Sequence, residues 1–256
     1  MIDTNVNLFR WPYRRLIGDD PESLASRLRA KGVTQAWASS YEALLQHDMA
    51  GVNLRLAEAC TRIGGNYFLP FGSINPKLPD WQEDLRRCHQ VHRMPGIRLF
   101  PSYHGYTLAD SAAVSLIAAA TERNLIVQIA LSMEDPRTQQ IPVDPADPAP
   151  LADQLARVPH ARIVFLNYAS WSDDDAGESI AKIRNSPSVY FDIAKNEGVG
   201  GLARLIAATS PSRVVFGSHS PFFYFESAQL KVKEAGLPRD QESAILESNA
   251  RDLLRA

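Results

Sequence analysis

Three observations predict an α/β fold, a (β/α)8 TIM barrel. Strand-like runs recur about every thirty residues, a helix-like run follows each, and no shift in composition interrupts the alternation. Eight right-handed βα units close naturally into a barrel, and 256 residues is an ordinary length for one. A doubly wound open sheet is the competing arrangement, but no glycine-rich phosphate loop follows the first strand-like run. The expected organisation is a single domain over residues 1–256.

The first strand reads IDTNVN (2–7), where alternation places Asp3, Asn5 and Asn7 on one face and Ile2, Thr4 and Val6 on the other. A helix over PESLASRLRAKG follows, with Pro21 near its start and Gly32 at its stop. VTQAWA (33–38), YFLPFGS (67–73) and GIRLF (96–100) supply the next three strands. LADSAAVSLIAAATERN carries apolar residues at helical spacing before the fifth strand, LIVQIAL (125–131). After it comes SMEDPRTQQIPVDPADPAP (132–150), whose Pro136, Pro142, Pro145, Pro148 and Pro150 exclude a helix. That loop leaves the C-terminal end of a strand, the face on which barrel enzymes carry their sites, and reads either as a lid or as a rigid excursion. LADQLARV again has helical spacing, and RIVFLN (162–167), VYFDI (189–193) and RVVFG (213–217) complete the eight.

Hydrophobic residues make 45% of the chain and charged residues 22%, the mixture of a globular protein. A net charge of -2 gives no reason to expect nucleic acid or an anionic membrane as partner, and no apolar run is long enough to span a bilayer. Cys60 and Cys88 lack metal-ligand spacing and read as buried free thiols, in keeping with a cytoplasmic protein.

In a barrel one strand face meets the helices and the other looks inward. In GIRLF, Ile97 and Leu99 belong to the helix layer, so Arg98 points inward. In RIVFLN the same reasoning sends Val164 and Leu166 to the helices and leaves Ile163, Phe165 and Asn167 inside. Gln128, Ala130, Tyr190, Asp192 and His219 are further inward positions. Asn5, Asn7, Arg98, Asn167, Asp192 and His219 are thus expected to converge on one mouth.

IDTNVN, GIRLFPSYHGYTL, LIVQIAL, RIVFLN, RVVFGSHSP and ESNARDLL together resemble the amidohydrolase superfamily over essentially the full chain. The nearest branch is the amidohydrolase-related group of metal-dependent hydrolases and decarboxylases. The resemblance implies histidines at the ends of strands one, five and six and an aspartate after strand eight, holding a divalent metal that activates water. At those positions stand Asn5 and Asn7, Ala130, Asn167, and His219 within Gly217-Ser218-His219-Ser220-Pro221. Neutral amides are poor metal ligands and alanine is none, so neither metal nor other cofactor is expected.

Three readings stay open. By resemblance to the metal-free 2-pyrone-4,6-dicarboxylate lactonases, the chain is a hydrolase of a small anionic or polar carbonyl compound, lactone- or ester-like. His219 would then be the base, and Asn5, Asn7 and Asn167 would donate to the carbonyl oxygen. Arg98 and Lys195 would hold a carboxylate, with His104 and Tyr106 touching substrate from the loop after strand four. Asp192 would complete that set as a buried partner of Lys195 or Arg98. Alternatively the barrel is catalytically inactive and keeps a small-molecule binding pocket. In the third reading the asparagines bond one another and fill the old metal cavity for stability. The aromatic and cationic loop Phe9-Arg10-Trp11-Pro12-Tyr13-Arg14-Arg15 suits either closure over an anion or a homo-oligomer contact. His89 and His92 read as a solvated pair on the far face of the barrel.

Overall fold

The computed structural model describes residues 1–135, 137, 139–169 and 177–255. Eight parallel strands run in sequential order: β1 (Ile2–Leu8), β2 (Gln35–Ser40), β3 (Phe68–Ser73), β4 (Gly96–Leu99), β5 (Ile126–Ala130), β6 (Arg162–Leu166), β7 (Val189–Asp192) and β8 (Val214–Val215). The chain beyond β8 returns to β1. Thr4 N–H donates to Phe216 O at 2.9 Å and Asn7 N–H to Ser220 O at 2.9 Å, so the sheet is a nearly closed barrel with helices between its strands. All eight expected strands are present, with ends within two residues of those read from the sequence.

Local chemistry explains the elements. The helix Pro21–Ala30 starts where the Asp20 side chain accepts from Ser23 N–H and Pro21 occupies the first turn; Arg27 and Arg29 lie in its last turn. A cap of this kind stabilises a helix by about 1 kcal/mol. Its buried stripe of Leu24, Ala25 and Leu28 joins the layer formed with the outer strand residues Ile97, Leu99, Val127 and Ile129. Trp37, Phe71, Ile126 and Val215 pack in a separate inner cluster. LADQLARV is not an α-helix: it forms two 3-10 turns, Ala149–Asp153 and Leu155–Arg157, since Pro148 and Pro150 withdraw two N–H donors at its start.

Two strand faces differ from the alternation expected. In β6, Val164 and Leu166 belong to the inner cluster, and Ile163 and Phe165 to the helix layer. Every residue from Ile163 to Leu166 is apolar, so polarity offers no choice between the faces; register makes it, aligning Arg98 with Gln128, Gln128 with Val164 and Val164 with Tyr190. In β1 the register slips between Asp3 and Val6: Asp3 is level with Ala36, yet Val6 is level with Ala38. That extra residue is a bulge, so Asp3 and Asn7 do not share one face.

Close packing of β3, β4 and β5 supports one prediction. A Cβ on Gly96 would sit 2.4 Å from Phe71 Cε1 and 2.5 Å from the main-chain oxygen of Ile126. Gly96→Ala is expected to destabilise the barrel by about 1–3 kcal/mol in urea unfolding. An unchanged midpoint would contradict this strand spacing.

Candidate functional site

The inward polar residues assemble around Arg98, which is fully buried at the centre. Its Nε donates to Gln128 Oε1 at 2.9 Å, and its Nη1 to Asn7 Oδ1 at 2.8 Å and Val6 O at 3.0 Å. Its Nη2 reaches Thr4 O at 3.4 Å and Trp37 O at 3.3 Å. Each guanidinium nitrogen is engaged inside the protein. Arg98 therefore has no donor to offer a substrate carboxylate in this arrangement, contrary to the role expected of it. Burial pulls its pKa down to about 9, with Asp192, Tyr41 and Asp3 opposing.

A second cluster adjoins the first. Asn5 Nδ2 donates to Asn167 Oδ1 at 2.9 Å and to Asp192 Oδ2 at 2.6 Å, while Asn167 N–H donates to Asp192 Oδ1 at 2.9 Å. Strict alternation after the inward Leu166 would turn Asn167 outward. Its left-handed backbone, φ 58°, instead accompanies a side chain that meets Asn5 at the centre. Asp192 thus bonds to the two asparagines and not to Arg98 or Lys195, the partners expected of it. Burial raises its pKa to about 6, against the hydrogen bonds that lower it. Below this lies Asp3, which accepts from Ser218 Oγ at 2.5 Å and is raised by burial to about 7.

His219 is fully buried. Its Nε2 lies 2.9 Å from Met133 O, which can only accept, so Nε2 carries the proton. Since Asn7 Oδ1 is turned to Arg98, Asn7 Nδ2 faces His219 Nδ1, at 3.5 Å. Both ring nitrogens are occupied in a neutral tautomer, and burial pushes the pKa down to about 3. All six residues expected at the mouth are brought together, buried and bonded to one another.

Open space lies to one side. A cavity of about 610 Å3 sits among the segments after β5, β6 and β7, with Ser132, Asn167 and Lys195 on its polar wall and Leu131, Ala146 and Phe223 among its apolar residues. Lys195 Nζ donates to Ser132 Oγ at 3.0 Å and to Glu134 O. Burial lowers its pKa, outweighing Glu197, Asp135 and Glu134, which raise it. The proline-rich loop contributes Pro145 and Pro148 to the cavity; Pro136 lies outside the described residues. His104 and Tyr106 do not line it. His104 Nε2 is 2.8 Å from Ala43 O, and Tyr106 is buried. In the first loop Trp11 is buried edge-on against Tyr13, Tyr41 and Phe222, while Arg10, Pro12, Arg14 and Arg15 are exposed.

The family profile described as Amidohydrolase matches residues 10–256. The chain belongs to the amidohydrolase family. Solved structures similar to this amidohydrolase-family barrel include 2,6-dihydroxybenzoate decarboxylase from Rhizobium, at TM-score 0.73 and 15% identity over 99% of both chains. Another is 5-carboxyvanillate decarboxylase from Sphingomonas paucimobilis, at TM-score 0.71 and 13% identity, covering 90% of this chain and 81% of the other. A third is dihydroxybenzoic acid decarboxylase from Polaromonas with bound manganese and the inhibitor 2-nitroresorcinol, at TM-score 0.71 and 13% identity over 99% and 97% of the chains. At these identities the likeness is one of fold. No curated protein matches the chain.

A divalent metal is ordinarily held by several imidazole, thiolate or carboxylate ligands. Among the described residues no group of three or more His, Cys, Asp or Glu is placed to hold one. The imidazole of His219 and the carboxylate of Asp192 already have their nitrogens and oxygens in hydrogen bonds, and both oxygens of Asp3 accept from Ser218. Also among the described residues, no helix is long and apolar enough to cross a membrane. Cys60 and Cys88 are free and buried.

Sequence reasoning overlooked Ser132. It is the second residue beyond β5, and the five prolines that follow it drew attention to the loop as a whole. The signal was there: a lone hydroxyl directly after the strand end that opens onto the mouth.

Proposed function

We propose that this amidohydrolase-family barrel binds a small polar carbonyl compound, ester- or lactone-like, in the cavity beside its centre, without a metal. One observation carries the reading. The polar groups of the centre satisfy each other, while Ser132, Asn167 and Lys195 line a cavity of about 610 Å3 together with charged residues such as Asp135, Arg184 and Glu197 and a mostly apolar remaining surface. Such a space, largely apolar with a few convergent polar groups, is the ordinary form of a small-ligand site. In this reading Asn5, Asn7, Asp192 and Arg98 build the wall behind the ligand. His219 is part of that wall: a neutral imidazole with both nitrogens bonded and a pKa near 3 is a weak base at neutral pH.

The test combines metal analysis of protein purified without chelator with thermal shift against small lactones, esters and aromatic acids. The expected result is far less than one metal per chain and a ligand whose effect survives EDTA. At a hundredfold excess over Kd that ligand should raise Tm by about 5–10 °C. A stoichiometric divalent metal, or a ligand effect abolished by EDTA, would sink the proposal.

A further inference from the structure

We infer that Ser132 and Lys195 form a nucleophile–base pair that hydrolyses a small ester or lactone held in the cavity, an inference that rests on the binding reading above. The two groups come from different βα units, β5 and β7, yet their Oγ and Nζ atoms lie 3.0 Å apart on one wall of the cavity. A nucleophile within hydrogen-bond reach of a base, itself held by a third group, is the arrangement that activates a hydroxyl. Serine with lysine is a known variant of it. Here the third group is the Glu134 carbonyl, which accepts from Nζ and fixes its direction. Asn167 Nδ2 donates to Ser132 O at 2.6 Å and holds the serine main chain. Asn167 is thus a positioning residue for the pair.

The chemistry balances with water as the one co-reactant. In the neutral amine the 3.0 Å contact reverses, with the Ser132 hydroxyl donating to the Nζ lone pair, and Nζ takes that proton as Oγ attacks the carbonyl carbon. The tetrahedral adduct collapses, the bond to the alkoxy oxygen breaks, and that oxygen leaves with the proton from Nζ. For a lactone the leaving oxygen stays tethered. Water then attacks the acyl-serine, giving its proton to Nζ, and the Oγ–acyl bond breaks as Oγ regains a proton. The product is a carboxylic acid and an alcohol.

A base must be neutral to act, and the surroundings decide how much of Lys195 is. Burial favours the neutral amine. Glu134 and Asp135 after β5 and Glu197 after β7 favour the ammonium, although Asp135 is itself paired with Arg137 at 2.5 Å. His219, neutral and behind the wall, adds no charge. Turnover should therefore rise with pH through the titration of Lys195.

The experiment treats the full chain with a fluorophosphonate probe, maps the adduct by peptide mass spectrometry, and measures turnover of p-nitrophenyl acetate and small lactones. Wild type should carry the adduct on Ser132. Ser132→Ala should lose it, and turnover should fall about a hundredfold or more. Lys195→Arg should lose a similar factor and also the rise of kcat/KM with pH, a readout that a merely structural role would leave in place. The melting temperature of unliganded Ser132→Ala should match that of wild type, which reports that the variant is folded. An adduct elsewhere, or turnover retained in Ser132→Ala, overturns the pair. Ligand binding in wild type with neither adduct nor turnover overturns the pair and leaves the binding reading standing. Absence of binding, adduct and turnover together removes both.

Discussion

Arg98→Ala should destabilise the barrel by about 3–5 kcal/mol, the cost of leaving buried partners of a charged group unsatisfied. The substitution strands Gln128 Oε1 and Asn7 Oδ1 and removes donors from Val6, Thr4 and Trp37 carbonyls. It also leaves the space of a large, fully buried side chain. Arg98→Lys should recover little. An ammonium has three donors at one point, whereas the guanidinium serves β1, β2 and β5 from a planar fork. Urea unfolding of both variants at one pH measures this. A loss below about 1 kcal/mol in Arg98→Ala would mean that these hydrogen bonds do not hold the inner layer together.

A comparably large effect is expected from His219→Gln, and it lies in pH dependence. His219 has a folded-state pKa near 3 against an ordinary 6.5. Between those values the unfolded chain binds a proton that the folded chain does not. Its contribution to stability is therefore complete above pH 6.5 and is lost as pH falls towards 3, at about 1.4 kcal/mol per unit. Asp3 and Asp192 act in the opposite sense. Their folded pKa values are raised to about 7 and about 6, so their contribution is complete below the ordinary 3.8 and is lost as pH rises through 6 and 7. The wild-type curve mixes these slopes, but the difference between wild type and His219→Gln isolates the histidine. Glutamine keeps a donor and an acceptor and does not titrate. The stability advantage of wild type should shrink by about 3 kcal/mol between pH 7.5 and pH 4. A difference that stays level would show that His219 titrates normally, and would restore it as a candidate base.

These two predictions concern residues that the sequence singled out for chemistry and the structure places in the frame. Arg98 was legible as an inward cation because Ile97 and Leu99 flank it in an otherwise apolar strand. What it touches was not legible. Its partners Val6 and Trp37 lie 92 and 61 residues away. The same holds for Asn5 and Asp192, 187 residues apart and joined at 2.6 Å. Asn167 meets Asn5 at the centre even though the faces of β6 are the reverse of those the sequence suggests. A left-handed residue at the strand end accompanies the inward side chain that alternation would have turned out. Lys195 was read as a grip for a carboxylate. Its 3.0 Å contact with Ser132 depends on how the segments after β5 and β7 meet, which no local pattern encodes.

The amino-acid order alone determined the eightfold alternation, the strand positions and the family. These rest on local information: the period of apolar residues, the prolines and glycines that stop elements, and the short motifs at strand ends. Packing across the barrel decided the rest. Register chose the faces of β1 and β6, and mutual hydrogen bonding drew Asn5, Asn7, Asn167, Asp192 and His219 into the interior. The open space came to lie against Ser132 and Lys195. The physical reason is burial. A polar side chain on an inward face must find a partner once water is gone, and which partner lies within 3 Å is settled when distant strands close the barrel.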